Sequence, residues 1–334
     1  MMTPAISVVL PVRNAAATIE EAVDSILGQD SGDFECWVVD DGSTDDTPRI
    51  LARYSDHRLR VLSHPGPHGV AEAMQFGVDH ARAPWVARMD ADDVSHPERL
   101  GMLMEWAMRH PDCAALKSRV RLIDGLGDGM DRHVAWVNGL ETPESIACAR
   151  FIESPIAHPS SMIRKDWLQR IGGYRAVEWA EDHDVWMRLL EAGGQVISIP
   201  NVLVDWRDSS TRLTRADARY GEAARSAMRC HYLARLPEVM QRGVAIAGAG
   251  PIGKSISRGL NDLGVMVQGF FEVHPRRIGQ TIHGVPVLSS ERMAEVWTDA
   301  VVLGAVGIPG GRERVRQLAM EHGRVEGRDF WSVC

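Results

Sequence analysis

The chain has 334 residues, of which 37 are basic and 45 acidic, for a formal net charge of −8 with histidine neutral. At about 100–200 residues per domain that length predicts two domains, and a composition 45% hydrophobic and 25% charged argues against disorder. The acidic balance argues against a general nucleic-acid binder, which needs a basic footprint.

The first 110 residues alternate between strand and helix signals. Ile6–Pro11 is a short apolar run rich in β-branched residues and reads as a buried strand. Ala15–Leu27 has helical spacing, with Ile19, Val23, Ile26 and Leu27 on one face. Glu35–Val39 reads as a strand ending in Asp40-Asp41-Gly42-Ser43. A helix is expected from Thr47 as N-cap, with Pro48 at its first position. Arg60–Leu62 and Trp85–Met89 read as strands, Gly69–Ala81 and Pro97–Arg109 as helices. This alternation predicts a mostly parallel sheet with helices on its faces, which binds ligands at the carboxyl ends of its strands.

The middle is less regular. Asp124–Asp131 is glycine-rich and reads as a loop, and Thr142–Ile152 as a helix. Ser161–Arg164 reads as a strand running into a helix at Lys165–Ile171. Glu181–Ala192 reads as a helix stopped by Gly193-Gly194, Val196–Ile199 as a strand, and Ala216–Leu236 as a long amphipathic helix. From Val244 the rhythm restarts. Strands are expected at Val244–Ala247, Val267–Phe271 and Ala300–Ala305, and helices at Ile252–Leu263, Ser290–Val296 and Gly311–His322.

Five cysteines (Cys36, Cys113, Cys148, Cys230, Cys334), odd in number and never in a C-x-x-C pair, are poor material for a disulfide framework or a zinc site and suggest a reducing compartment. No basic stretch precedes the first apolar run, and no run approaches the roughly 18 residues of a membrane span. A cytoplasmic protein with at most peripheral membrane contact is expected.

Three acidic clusters stand out: Asp40-Asp41-Gly42-Ser43-Thr44-Asp45-Asp46, Asp90-Ala91-Asp92-Asp93 and Glu181-Asp182-His183-Asp184. Together they hold ten carboxylates and no lysine or arginine. Each alone could be a turn or a helix cap. Asp90 and Asp92, two apart on an extended segment, point the same way and could grip one hard cation, with Mg²⁺ or Mn²⁺ the natural occupant. Crowded carboxylates raise one another's pKa unless a cation joins them. An aspartate of the first cluster could accept hydrogen bonds from a nucleotide base or ribose.

These segments, with Ile6–Asn14 and Val38–Asp45, resemble the family 2 glycosyltransferases over roughly residues 4–235. Four motifs fall in the family's order and spacing. The resemblance implies a GT-A fold, a Rossmann-like and mostly parallel sheet with helices on both faces, over 1–237. It also implies a metal-dependent, inverting transfer from a nucleotide-diphosphate sugar, UDP or dTDP linked, to a glycan, lipid-linked or small-molecule acceptor. By the same resemblance Pro11 and Arg13 pack on the base and ribose, where many members carry an aromatic residue in place of Arg13. Asp41 reads the pyrimidine ring. Asp90 and Asp92 form the D-x-D motif, with Asp92 the direct metal ligand. Asp182 is the catalytic base and Glu181 its companion, with Asp184 the alternative base. Gln75, in Ala73-Met74-Gln75-Phe76-Gly77, stands where many members have asparagine and receives no role. His158 either lines the acceptor side or packs in the core. The arginine-dense segment Arg207, Arg212, Arg215 and Arg219 is either a solvated face or a cover for the diphosphate, with Arg207 its best candidate.

In the second domain, 243–334, Gly248-Ala249-Gly250-Pro251-Ile252-Gly253 follows a strand and opens a helix, as a dinucleotide fingerprint does, and Glu272 ends the next strand. Gly269–Gly279 and His283–Leu288 look like the Rossmann-type N-terminal domain of bacterial sugar acyltransferases. Three readings stay open: an interaction module, a nucleotide-sugar site, or an NAD(P) site. Arg276 and Arg277 could meet a phosphate or face solvent. The alternatives to a glycosyltransferase are an NAD(P)-dependent sugar oxidoreductase and a catalytically silent nucleotide-sugar-binding scaffold. No hydride-transfer apparatus such as Tyr-x-x-x-Lys follows Gly253.

Overall fold

A computed structural model describes residues 3–334 apart from 126, 210–214, 216 and 309. The chain divides into two compact units. The first holds residues 1–146, 155–177 and 181–216, the second 147–154, 178–180 and 217–334.

The first unit is built on eight strands: β1 (Ile6–Val12), β2 (Phe34–Asp40), β3 (Leu59–Ser63), β4 (Trp85–Arg88), β5 (Val94–Ser95), β6 (Ala115–Ile123), β7 (Ser161–Arg164) and β8 (Val196–Arg207), in the order β3-β2-β1-β4-β7-β6-β8-β5. The β3-β2-β1-β4 half is parallel, as the alternating pattern requires. Beyond β4 the sheet is mixed: β7 runs antiparallel to β4 and β6, β6 and β8 pair in parallel, and β5 runs antiparallel to β8.

Alternate residues of β1 (Ile6, Val8, Leu10, Val12) are buried in one core with α1 (Ile19–Leu27) and the α4 residues Leu100, Leu103 and Ala107 (α4, Arg99–Arg109). Helix α2 is Thr47–Leu51 and α3 is Val70–His80. Asp46, not Thr47, takes the N-cap position of α2, and the Thr47 hydroxyl instead accepts a hydrogen bond from the Ala15 N–H at 2.9 Å. Gly77 lets α3 lie close on the sheet, since a Cβ there would sit 2.4 Å from Val9 Cγ1.

Helices α5 (Asp128–Asn138), α7 (Lys165–Arg170) and α8 (Glu181–Glu191) belong to this unit, and α6 (Pro143–Ala149) begins in it and ends in the second. The loop expected over 124–131 gives way to α5 after Gly127. Val134 and Val137 are buried against Val120, Val204 and Trp206, and this apolar face fixes the helix. Strand β8 runs eight residues past the expected end at Ile199, because its second half supplies Leu203, Val204 and Trp206 to buried clusters.

In the second unit the parallel strands β12 (Val285–Ser289), β10 (Val267–Glu272), β9 (Val244–Ala247), β13 (Val301–Gly304) and β14 (Phe330–Ser332) lie side by side in that order, with the short β11 (Thr281–Ile282) antiparallel at the β12 edge. Read from β9 outward, this is the doubly wound arrangement, with the strand order reversing beside β9. Helices α9 (Glu222–Leu233), α10 (Pro237–Arg242), α11 (Pro251–Asp262) and α12 (Gly311–Glu321) belong to this unit. The long helix expected over 216–236 is a 3₁₀ turn at Ala218–Tyr220, then extended backbone at Gly221, then α9. Helix α9 groups with the C-terminal sheet: the hydroxyls of Ser226 and Ser255 meet at 2.8 Å, and a Cβ at Gly259 would strike Cys230 Sγ at 2.7 Å. The helix expected at 290–296 is a 3₁₀ helix, Ser290–Ala294. Among the described residues no helix is long and apolar enough to cross a membrane.

Asp184, on the buried side of α8, accepts a hydrogen bond from Arg188 Nε at 2.7 Å, and both residues are buried. Arg188 also donates to the Ile171 carbonyl at 2.6 Å, which ties α8 to the end of α7. Asp184→Ala strands this cation and should lower the unfolding free energy by about 3–5 kcal/mol, read from urea melts.

Candidate active site

Parallel register aligns the carboxyl ends of β1, β2 and β4. Val12 pairs with Asp40, Val9 with Arg88, and the Met89 N–H bonds the Val9 carbonyl at 3.0 Å, so Asp41 and Asp90 follow on one edge of the sheet. Because β7 runs antiparallel to β4, the 3₁₀ turn His158–Ser160 that feeds it arrives at the same edge. The paired end of β8 brings Asp205–Arg207 beside the strand that follows the D-x-D segment.

The second acidic cluster is compact. One carboxylate oxygen each from Asp90, Asp92 and Asp93 lie within 4.8 Å of one another, with Asp93 buried and the other two half-buried. A buried guanidinium compensates this charge. Arg88 Nε donates to Asp90 Oδ1 at 2.6 Å. Burial opposes a charge on Arg88, but the nearby Asp90, Glu181 and Tyr174 outweigh that, and its pKa is raised. A second cation, Arg99, is fully buried and donates to the carbonyls of Arg88 at 2.7 Å and Pro159 at 2.6 Å. Burial brings its pKa down to about 10, opposed by Asp93 and Asp90. Neither arginine stands out in the sequence, where the one signal for Arg88 is a charged residue inside an otherwise apolar strand.

Arg207 is held in the turn behind this cluster. Its N–H donates to Asp93 Oδ1 and its Nε to the Asp92 carbonyl, both at 2.8 Å. Its remaining nitrogens reach Glu21, at 2.6 Å, and Asp124. The other described arginines of that segment pair with aspartates: Arg215 with Asp208 at 2.8 Å and Arg219 with Asp217 at 2.6 Å. Arg212 lies outside the described residues.

The third cluster opens α8. Glu181 is buried and Asp182 is half-buried. Burial is the first cause that lifts the Asp182 carboxyl, and the charge of Glu181 the second. The His183 N–H and Arg88 oppose them, and the pKa still rises to about 7. The helix N-terminus favours the ionised form. Asp182 and Asp90 feel each other and both feel Arg88, which puts the D-x-D segment and the head of α8 at one locus.

Beneath them, His158 is buried. Its Nε2 lies 2.8 Å from the Tyr174 hydroxyl, and its ring packs 5.4 Å from Trp186. Burial and then Arg88 push its pKa well below the usual value, so it is neutral. Gln75 holds the neighbouring loop in place. Its Oε1 accepts the Tyr174 N–H at 2.7 Å, and it fills the space a Cβ at Gly173 would need. The motif containing Gln75 and Gly77 thus seats α3 and the Tyr174 loop.

Asp41 is buried at the end of β2. It accepts the N–H groups of His68 at 3.0 Å and Gly69 at 2.8 Å. Burial would raise its pKa, but these bonds and the His64 and His68 imidazoles hold it below the usual carboxylate range. Pro11 is half-buried and Arg13 is exposed on the same edge.

In the second unit, Gly253 allows α11 to start against the glycine-rich turn, because a Cβ there would meet the Gly248 carbonyl at 2.0 Å. Gly250 is the N-cap of α11. The Glu272 carboxylate accepts from the N–H groups of Ala249, Val273 and His274 at 3.3, 2.9 and 3.1 Å, and from Arg277 at 3.1 Å. It is turned onto its own loops.

Residues 7–172 match the model of the Glycosyl transferase family 2. EpsE of Bacillus subtilis strain 168, a provisionally assigned glycosyltransferase, is 28% identical over 223 residues, 65% of this chain and 78% of EpsE. The chain spans from 19% to 43% of the lengths of the next four curated relatives. Among solved structures, Staphylococcus aureus TarS 1–349 in complex with UDP-GlcNAc matches with a TM-score of 0.58 at 18% identity, over 78% of this chain and 72% of that one. The mannosyltransferase PcManGT from Pyrobaculum calidifontis in complex with GDP-Man and Mn²⁺ matches with a TM-score of 0.53 at 24% identity, over 79% of this chain and 70% of that one. These likenesses establish a shared fold. The family match lies on the segment that carries the aligned strand ends and the D-x-D turn, and on that basis the chain belongs to the family 2 glycosyltransferases.

Proposed function

We propose that the chain is an inverting, divalent-cation-dependent enzyme that moves a sugar from a UDP- or dTDP-sugar to an acceptor hydroxyl, in the assembly of a polysaccharide or other glycoconjugate. The observation that carries this reading is the meeting of the D-x-D carboxylates and the raised carboxyl of Asp182 around Arg88. The UDP-GlcNAc and GDP-Man complexes of its structural neighbours support a nucleotide-sugar donor, and the Mn²⁺ of PcManGT supports the cation.

Asp90 and Asp92 would hold that cation. Three hard oxygen donors from one turn suit Mg²⁺ or Mn²⁺. A cation bound there compensates charge on the departing diphosphate. The chain's own residues supply the rest. Arg88 orients Asp90, and Arg207 fixes the turn through the Asp92 carbonyl and Asp93. Pro11, Arg13 and Asp41 line the sheet edge where a base and ribose would lie. Asp182 takes the proton of the attacking hydroxyl. Its raised pKa is what a general base near neutral pH needs. Attack on the face opposite the leaving group inverts the anomeric centre. Glu181 keeps the carboxyl of Asp182 basic by its charge.

Asp182→Asn should lower turnover by about 10²–10⁴-fold, while calorimetry shows UDP binding unchanged. Near-parental turnover in that variant would sink the assignment. Catalysis needs the ionised form, so kcat/KM of the parent should fall about tenfold per pH unit below about 7 and level above it.

Stability should run the other way. An acid whose pKa is raised by folding destabilises the fold as pH climbs through the gap between its unfolded and folded values. Asp182→Asn should therefore melt at a higher temperature than the parent at pH 8, with the difference gone near about pH 4.

EDTA should abolish transfer and Mn²⁺ should restore it. Asp92→Ala should keep its fold by circular dichroism and lose the response to Mn²⁺.

A further inference from the structure

A continuous run of rings leads from the sheet to the surface of the first unit. Trp37 of β2 lies 5.6 Å, centroid to centroid, from His80 of α3, and His80 meets Phe76 edge-on at 4.6 Å. Phe76 stacks on His64 at 4.7 Å with planes 21° apart, and His64 meets His68 at 4.0 Å with planes 35° apart. The run ends in the open. Trp37 is buried, the His64 side chain is 17% exposed and that of His68 38%. His64 covers one face of His68, so that exposure falls on the outer face and rim of the ring.

The open end is held over the exit of β2. The loop between β3 and α3 reads His64-Pro65-Gly66-Pro67-His68. The Asp41 carboxylate accepts the His68 and Gly69 N–H groups, which ties the backbone that carries the ring to the strand end. Gly42 has a φ of +71°, and a Cβ there would sit 2.5 Å from the Gly66 carbonyl oxygen, so the loop lies directly on the turn after Asp41. A Cβ at Gly66 would sit 2.3 Å from His68 Nδ1, and glycine there lets the ring fold back over the strand end. Pro65 and Pro67 fix φ on either side, so less freedom is lost when the loop is held.

Burial accounts for Trp37 and for the inner part of the run, but not for its last ring. His68 gives up side-chain freedom to extend a stack into water. A flat ring with its inner face already stacked is pre-organised for a second flat partner. Imidazole and aromatic faces take nucleobases in this way, with little choice among bases. Arg13, on the β1 side of the same edge, brings no ring.

We propose that the outer face of His68 is the platform on which the base of the donor nucleotide stacks, an inference that rests on the nucleotide-sugar reading above. Asp41 holds the platform in place, and His64 on Phe76 keeps the ring from tilting away. Strand β1 alone separates β2 from β4, so the D-x-D turn lies two strand spacings to the side, about 10 Å. A ribose and diphosphate can bridge that distance.

The full chain with Mn²⁺ can be titrated by calorimetry with UDP and, separately, with inorganic pyrophosphate. His68→Ala should weaken UDP by about tenfold or more and leave pyrophosphate unchanged. His68→Phe keeps the flat face without the ring nitrogens, and should bind UDP within about threefold of the parent. Equal UDP affinity in the parent and His68→Ala would overturn the proposal. So would an equal loss of UDP and pyrophosphate in His68→Ala, which puts the ring in the fold, or a loss in His68→Phe as large as in His68→Ala, which marks a polar contact. A parent that binds pyrophosphate with Mn²⁺ but neither UDP nor dTDP would overturn the nucleotide-sugar reading itself.

Discussion

The acidic crevice depends on one buried cation. Arg88 ends β4 with little exposure, bonds Asp90 at 2.6 Å, and feels the charge of Glu181. A guanidinium in that position would be costly without carboxylates around it, and the carboxylates would repel one another without it. Neither partner can be removed alone. This mutual need explains why residues 90 and 181, far apart in sequence, end at one place. It also explains the neutral His158 beneath them, since an imidazolium next to Arg88 in a dry setting would be repelled.

The same field separates the two acids of α8 by role. Asp184 lies two residues after Asp182, yet faces the opposite way and is neutralised by Arg188 within its own helix. Asp182 is desolvated and shares Arg88 with Asp90 and Glu181, so its carboxyl is only partly compensated. One aspartate is consumed by the fold and the other is kept basic. Burial first, and then the neighbouring charge of Glu181, tune the site against the opposing His183 N–H and Arg88.

Much of this is legible in the sequence, for physical reasons. Strands β1, β2 and β4 are apolar, β-rich runs cut off by aspartate, and buried parallel strands must look that way. The acidic clusters that follow them are visible at once. Strand β6 is not, because Lys117, Arg119 and Arg121 alternate along it. The structure buries Lys117 by giving its Nζ to the Val137 carbonyl at 2.7 Å. The α5 face is hidden behind a glycine-rich start. Arg88 and Arg99 escape notice because an isolated arginine in a sequence carries no sign of burial. Gln75 shows no role in the sequence because its partner, the Tyr174 N–H, lies 99 residues away.

The two aspartate turns on the sheet edge are stabilised by different means, and this sets what each can bind. The turn at Asp90–Asp93 is balanced by whole charges, Arg88 and Arg99, and offers oxygen only. The turn at Asp41 is balanced by backbone dipoles and two imidazoles. The chemistry of each follows from what the chain folds against it, a guanidinium in one case and a proline-stiffened pair of histidines in the other.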